Sequence, residues 1–278
     1  MDVQALTEQA RKAQAFKALH ERPGIFVIPN PWDAGSAKML ASLGYQALAT
    51  TSAGYAFSQG KADGALNLDD TLANVRAIVA STDLPVAVDL ENGFADDPAE
   101  CAKSVLRAAE AGAVGGSIED ATGRADAPIY CFEHAVARIE AAVAAVRTLP
   151  FAFLLTARAE NYLHGNPDIH DTIRRLQAFA EAGADVLYAP GLRTAEEVIA
   201  VVRAVAPKPV NVLMSGGLKL TVQQLEEMGV RRISTGSALA LAAFGEFFRA
   251  AEEIQQSGTF GFTSQSMPYA KANQFFKG

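Results

Sequence analysis

Three segments place acids or an arginine at the ends of short apolar runs. They read Asp89-Leu90-Glu91-Asn92-Gly93-Phe94, Ser117-Ile118-Glu119-Asp120 and Thr156-Ala157-Arg158-Ala159-Glu160. Residues two apart on a strand point to one face, so Asp89 and Glu91 are expected to point together before Gly93 lets the chain turn. Glu119 would add a third carboxylate to the same rim. Carboxylates gathered in an apolar setting repel one another unless a cation or a shared proton intervenes. A hard, oxygen-binding cation such as Mg²⁺ or Mn²⁺ is the simplest answer. Capping helices or pairing with arginines would serve the same acids. Arg158 offers a planar fork suited to a carboxylate or phosphate. An ion pair with Asp89 or Glu119 would occupy it equally well.

Weaker signals lie nearby. Thr50-Thr51-Ser52-Ala53-Gly54-Tyr55 follows another run with small residues, whose N–H and hydroxyl groups can approach an anion closely, although such residues also make plain turns. Asp63 stands alone in Gly60-Lys61-Ala62-Asp63-Gly64. Of four histidines, His20 and His134 read as helix-surface residues, and His164 and His170 as loop residues, with His164 near enough to reach the rim.

The elements that must position these groups alternate. Apolar runs at 25–29, 47–50, 86–91, 115–120, 151–157, 186–190, 210–214 and 232–235 are separated by amphipathic stretches, among them 97–110, 134–147, 171–181 and 195–205. About eight such units are what a closed (β/α)₈ TIM-type barrel requires. An open doubly wound sheet uses the same alternation, but neither a G-x-G-x-x-G turn nor a G-x-x-x-x-G-K-[ST] loop is present. Ser42-Leu43-Gly44, Glu110-Ala111-Gly112, Glu181-Ala182-Gly183 and Glu227-Met228-Gly229 repeat a helix end followed by glycine, marking the corners where helices turn into strands. The chemistry is then expected at the opposite corners. No linker divides the chain, so residues 1–278 read as one barrel domain with an N-terminal helix and a C-terminal helical extension.

A net charge of −7 with 20% charged residues lacks the basic clusters a nucleic-acid binder needs. An acidic protein that takes an anionic substrate must neutralise it locally. Two cysteines, Cys101 and Cys131, form no C-x-x-C pair, which argues against a disulfide or zinc scaffold and fits a cytoplasmic setting. Residues 1–22 lack the pattern of a secretory signal, and the apolar stretch at 238–248 is too short to span a bilayer. The phenylalanines at 244–248 and 260–262 read as core or subunit interface.

Taken in order and spacing, D-x-[DE]-x-G-[YF] at Asp89, I-E-D at Ile118 and A-R-x-[DE] at Ala157 resemble the isocitrate lyase / phosphoenolpyruvate mutase superfamily. The resemblance runs from Pro29-Asn30-Pro31-Trp32-Asp33 to Thr235-Gly236-Ser237. It implies a barrel whose eighth helix swaps between subunits, as homodimers or homotetramers. It implies Mg²⁺ nearest Asp89, with Asp63, Glu91 and Glu119 holding its water ligands. Ser52, Ala53, Gly54 and Tyr55 would line the pocket for a substrate carboxylate or enolate oxygen, and Arg158 would bind a carboxylate. Ser52, Tyr55 and Arg158 are the implied catalytic groups. The K-[KR]-C-G-H loop of the lyases is absent: residues 120–130 carry no such motif, Cys131 reads as structural, and Pro190 stands where the lyases carry a glutamate. The expected function is a Mg²⁺-dependent lyase or decarboxylase acting on a small 2-oxo or 2-hydroxy carboxylate through an enolate. A C–P phosphonomutase or phosphonopyruvate hydrolase is the runner-up, and a 2-oxo acid binding protein of weak activity the third reading.

Overall fold

The computed structural model describes residues 3–277. Helix α1 (Val3–Glu21) precedes eight strands: β1 (Phe26–Ile28), β2 (Leu48–Ala49), β3 (Val86–Asp89), β4 (Gly115–Glu119), β5 (Leu154–Arg158), β6 (Val186–Tyr188), β7 (Val210–Leu213) and β8 (Arg232–Ser234). Between them lie α2 (Ala34–Ser42), α3 (Ser52–Ser58), α4 (Leu68–Ala80), α5 (Pro98–Glu110), α6 (Phe132–Val146), α7 (Ile169–Glu181), α8 (Ala195–Val205) and α9 (Val222–Glu227). After β8 come α10 (Ala238–Ser257) and α11 (Tyr269–Phe276). Every strand pairing is parallel, in the order β1-β8-β7-β6-β5-β4-β3-β2. The Ala49 N–H donates to Pro29 O at 3.2 Å and brings β2 against the end of β1. The fold is the (β/α)₈ barrel, not the open sheet.

All eight expected strands form, each shorter by one or two residues than its apolar run. The four repeated glycines lie at helix-to-strand corners with positive φ: Gly44 at 85°, Gly112 at 101°, Gly183 at 104° and Gly229 at 87°. A side chain is strained there, which is why glycine recurs. The main core fills the space between strands and helices, with Val88, Leu90, Leu155, Leu176, Phe179 and Val201 among its buried members. Alternation sends the other strand residues into the barrel.

Helix α1 closes the N-terminal end. Phe16 is fully buried with Phe26, Ile28, Val114 and Leu154. Gln9 Nε2 donates to Ala109 O and Ala113 O at 2.7 and 2.9 Å, tying α1 to the barrel. His20 is buried, not on the helix surface as its sequence position suggested. Its Nδ1 lies 2.8 Å from Phe16 O, and its ring meets Phe16 and Phe26 edge-on. Burial first, then Arg232, pushes its pKa down to about 3, so it is neutral.

Helix α10 behaves unlike the others. Ala240 is its one buried residue, while Leu241, Phe247, Phe248 and Ile254 are exposed. Of the aromatic stretch at 244–248, Phe244 meets Trp32 and the next two are outside the core. Helix α11 returns to α2. Among the described residues no helix is long and apolar enough to cross a membrane.

The plug at the barrel base makes a specific demand on Gly115. A Cβ there would stand 2.7 Å from Phe16 Cε1 and 2.9 Å from Leu154 O. Gly115→Ala is expected to cost about 1–3 kcal/mol by overpacking. Chemical denaturation should show a lower midpoint, partly recovered in the Gly115→Ala, Phe16→Leu double variant.

Candidate active site

Parallel register brings the strand ends level. Asp89 lies beside Ser117 and Glu119 beside Arg158 in the β3–β4 and β4–β5 ladders. Asp89 accepts at Oδ2 from the Ser52 N–H and hydroxyl at 3.2 and 2.8 Å, and at Oδ1 from Arg158 Nη1 at 3.0 Å. The Asp89 N–H in turn donates to Thr50 Oγ1 at 2.9 Å. Ser52 is available because Thr51 caps α3, accepting from the Gly54 N–H.

Arg158 is held on all three nitrogens. Nη1 meets Asp89, Nη2 meets Glu119 at 3.1 Å, and Nε meets Glu160 at 2.8 Å. The ion-pair reading of Arg158 is therefore present in the structure, and Arg158 also lines the central cavity. Behind it, the Glu160 N–H donates to Asp120 Oδ1 at 2.8 Å, and Asp120 Oδ2 pairs with Arg175 at 3.0 Å. Arg175 also pairs with Asp171 at 2.8 Å, so a buried ladder from α7 fixes the end of β5.

Glu91 reaches the site differently from the sequence expectation. The strand ends at Asp89, and Glu91 sits in the turn with φ +48°. It is the turn, not strand alternation, that brings the two carboxylates together. Phe94 is also left-handed, at φ +58°, and a Cβ on Gly93 would stand 2.5 Å from Cys101 Sγ. Such strain persists only where the surroundings hold it. Here the buried Arg138 guanidinium donates to the Asn92, Ala95 and Asp96 carbonyls. Arg138 lies more than forty positions from this turn, and no local signal announces it.

A cavity of about 220 Å³ opens at this end of the barrel. Of the residues singled out from sequence, Ser52, Ala53, Asp63, Asp89 and Arg158 line it. Glu91 and Glu119 do not line it but adjoin its wall, through the Asp89 contacts and the Arg158 pair. Gly54 and Tyr55 do not line it. Gly54 is a packing position, since a Cβ there would stand 2.7 Å from Thr51 Cγ2 and 3.2 Å from Ala240 Cβ. Tyr188 and Arg232, which sequence reasoning missed, line it. Neither cysteine does: Cys101 is buried behind Gly93, and Cys131 is the N-terminal boundary of α6. His164 is exposed, with its pKa lowered by partial burial and then by Arg158.

The rim carries more acid than Arg158 alone balances. Burial, then Asp89 and Asp63, pushes Glu91 up to about 7. Burial raises Glu160 to about 6 against the pull of Arg158, raises Asp63 next to Asp89, and raises Glu119 well above the carboxylate range. Glu91 Oε1 is buried with no hydrogen-bond partner. Among the described residues no three His, Cys, Asp or Glu side chains form a direct metal cage. A hydrated Mg²⁺ needs no such cage, because it keeps several waters and takes one or two carboxylates. Surplus hard-oxygen acids and an orphaned carboxylate oxygen fit that mode of binding.

The model of the phosphoenolpyruvate phosphomutase family matches residues 16–255. The chain belongs to the isocitrate lyase / phosphoenolpyruvate mutase superfamily. A solved structure of a Burkholderia cenocepacia J2315 protein, described only as a lyase or mutase, is 58% identical with TM-score 0.95 over 98% of both chains. The 2-methylisocitrate lyase of Salmonella typhimurium is 32% identical over 88% of this chain and 85% of its own length. The oxaloacetate decarboxylase of Paraburkholderia xenovorans is 28% identical over 98% and 89%. The chain is thus an enzyme of a superfamily of lyases and mutases.

Glu91 supplies a test of the charge surplus. Its folded-state pKa, about 7, lies above the ordinary 4.5, so the native protein binds the extra proton in that interval. Its contribution to stability is full below pH 4.5 and is lost as pH rises through 7, by about 3 kcal/mol in all. Without divalent cation at pH 8, Glu91→Gln should therefore be more stable than the wild type by up to about 3 kcal/mol. The difference should fade towards pH 4.5. Urea denaturation at both pH values in EDTA measures it.

Proposed function

We propose that this enzyme is a Mg²⁺-dependent carbon–carbon lyase or decarboxylase of a small 2-oxo or 2-hydroxy carboxylate, acting through an enolate. The observation that carries this reading is the surplus of buried carboxylates around Asp89, beside Arg158 in one cavity. Asp89 would hold the cation most directly, with Asp63, Glu91 and Glu119 around its waters, and Mn²⁺ would fit the same oxygens. When bound, the cation stabilises negative charge on the oxygen where the enolate develops.

The chain's own groups complete the chemistry. Glu119 and Glu160 hold Nη2 and Nε, so Arg158 stays anchored when Nη1 turns from Asp89 to a substrate carboxylate. Ser52 orients Asp89 through two hydrogen bonds, and Ala53, which lines the cavity, lies in the first turn of α3, where backbone N–H groups lack an intrahelical acceptor. Tyr188 packs under Arg158 with its ring 5.1 Å from the guanidinium, shielding this side from water. In decarboxylation the C–C bond to the departing carboxylate breaks, its electron pair enters the enolate, and a proton later reaches carbon. A retro-aldol lyase must also remove a hydroxyl proton, which requires a placed base. No thiol faces the cavity to share that work. Decarboxylation of a 2-oxo diacid or a related enolate reaction is accordingly favoured over isocitrate-type cleavage, in keeping with the decarboxylase among the relatives.

The reading is tested by offering oxaloacetate, isocitrate, methylisocitrate, dimethylmalate and phosphonopyruvate with Mg²⁺. Oxaloacetate should release CO₂ and pyruvate, EDTA should abolish the reaction, and Asp89→Asn should lower kcat/KM by about 100-fold or more. Fast isocitrate or methylisocitrate cleavage would refute the preference. Phosphate release from phosphonopyruvate would establish the hydrolase type, and its isomerisation to a phosphate ester the phosphonomutase type. Binding without turnover on any substrate would leave a 2-oxo acid binding protein.

A second copy is the proposed cover for α10, whose Phe247 and Phe248 otherwise face water, in a homodimer or homotetramer. Light scattering should give the mass of two or four chains, and Phe247→Asp with Phe248→Asp should shift it towards one.

A further inference from the structure

Arg232 is a buried long cation inside the barrel, below the rim. It is 6% exposed and lines the floor of the cavity. Nε donates to Asn211 Oδ1 at 2.9 Å, Nη2 to Thr156 Oγ1 at 2.9 Å, and Nη1 lies 3.2 Å from His20 Nε2. Phe16 O can only accept, so Nδ1 carries the His20 proton and Nε2 accepts from Arg232. All three partners are neutral, and no carboxylate pairs with Arg232 among the described residues. A guanidinium has five N–H groups, and these bonds use three. A buried charge with two spare donors and no counter-ion faces an open space. That space exists because the inner faces opposite carry small side chains: Ala49, Ala87 and Ser117.

We propose that Arg232 is the floor of a second anion subsite, which takes the distal carboxylate of a dicarboxylate whose 2-oxo or 2-hydroxy head lies at Asp89. Its partner Thr156 is two residues before Arg158 on β5, so the subsite lies about 7 Å deeper than the rim arginine. A four-carbon diacid spans roughly 6 Å between its outer oxygens. Asn211 and Thr156 hold the fork, and Ser234, which accepts from Asn211 Nδ2 at 2.8 Å, lines the same cavity. Arg158 and Arg232 then divide the work: one meets the carboxylate beside the reacting carbon, the other sets how far the second carboxylate reaches. The subsite rests on the proposed function only for the place of the head group.

The test compares L-lactate with L-malate, which differ by the second carboxylate, titrated calorimetrically into the Mg²⁺-loaded protein. The wild type should prefer malate, and Arg232→Gln should shrink that preference at least tenfold while leaving lactate affinity within about twofold. An unchanged malate-to-lactate ratio in a folded Arg232→Gln protein overturns the subsite and leaves the proposed function standing. Binding of neither acid by the wild type counts against the proposed function itself. Should Arg232→Gln not fold, a wild-type crystal structure with Mg²⁺ and malate decides. A malate carboxylate within hydrogen-bond distance of Arg232 supports the subsite, and only water there refutes it.

Discussion

One guanidinium facing too many carboxylates is the constraint around which the upper half of the barrel is arranged. Arg158 meets Asp89, Glu119 and Glu160 at once, with Glu91 and Asp63 close by. Charges of one sign packed at this depth repel strongly because little water screens them. Two responses are open to the protein: keep protons on some acids, or bind a cation. The raised pKa values of Glu91, Glu160 and Asp63 describe the first, and the catalytic reading uses the second. A site able to do both trades stability for function, as active sites do.

Holding such a cluster together takes support from elements far from it in sequence. Asp120 and Arg175 brace the backbone at Glu160, while Arg138 takes three carbonyls of the turn that carries Glu91. Each of these arginines is itself buried and donates to several acceptors, which lowers the penalty for burying a charge, although Arg138 Nε is left without a partner. The strained φ at Glu91 lies beside carbonyls that Arg138 holds in place, the kind of support that lets such strain persist.

Most of the fold was legible. Apolar runs of four to seven residues, separated by helical periodicity and by glycines at one set of corners, lead to the barrel and to the rim that bears the chemistry. The acids and Arg158 were legible for the same reason: a charged residue closing an apolar run is conspicuous. Side-chain geometry was not. Whether Arg158 is free or paired depends on strand register, and the common face assumed for Asp89 and Glu91 failed because the strand stops first. His20 looks like any polar helix residue until α1 is known to plug the barrel. Tyr55 was implied as a pocket residue by the resemblance, but it sits almost one turn further along α3 than Ser52 and does not line the cavity.

The interior below the rim follows a different logic from the rim itself. Barrel cores are usually filled by bulky branched side chains in layers. Here β2, β3 and β4 contribute Ala49, Ala87 and Ser117, and the volume they leave is spanned from the far side by Arg232. The two features depend on each other. A leucine at position 87 or 117 would close the space that Arg232 faces, and a leucine at position 232 would leave a void beside Thr156 and Asn211. Small inward residues on one side and a long polar one on the other thus form a single packing solution. That solution costs a desolvated charge which a hydrophobic filler would avoid. Stability alone therefore does not account for an arginine at this position, and the balance tips in its favour only when an anion shares the barrel with it.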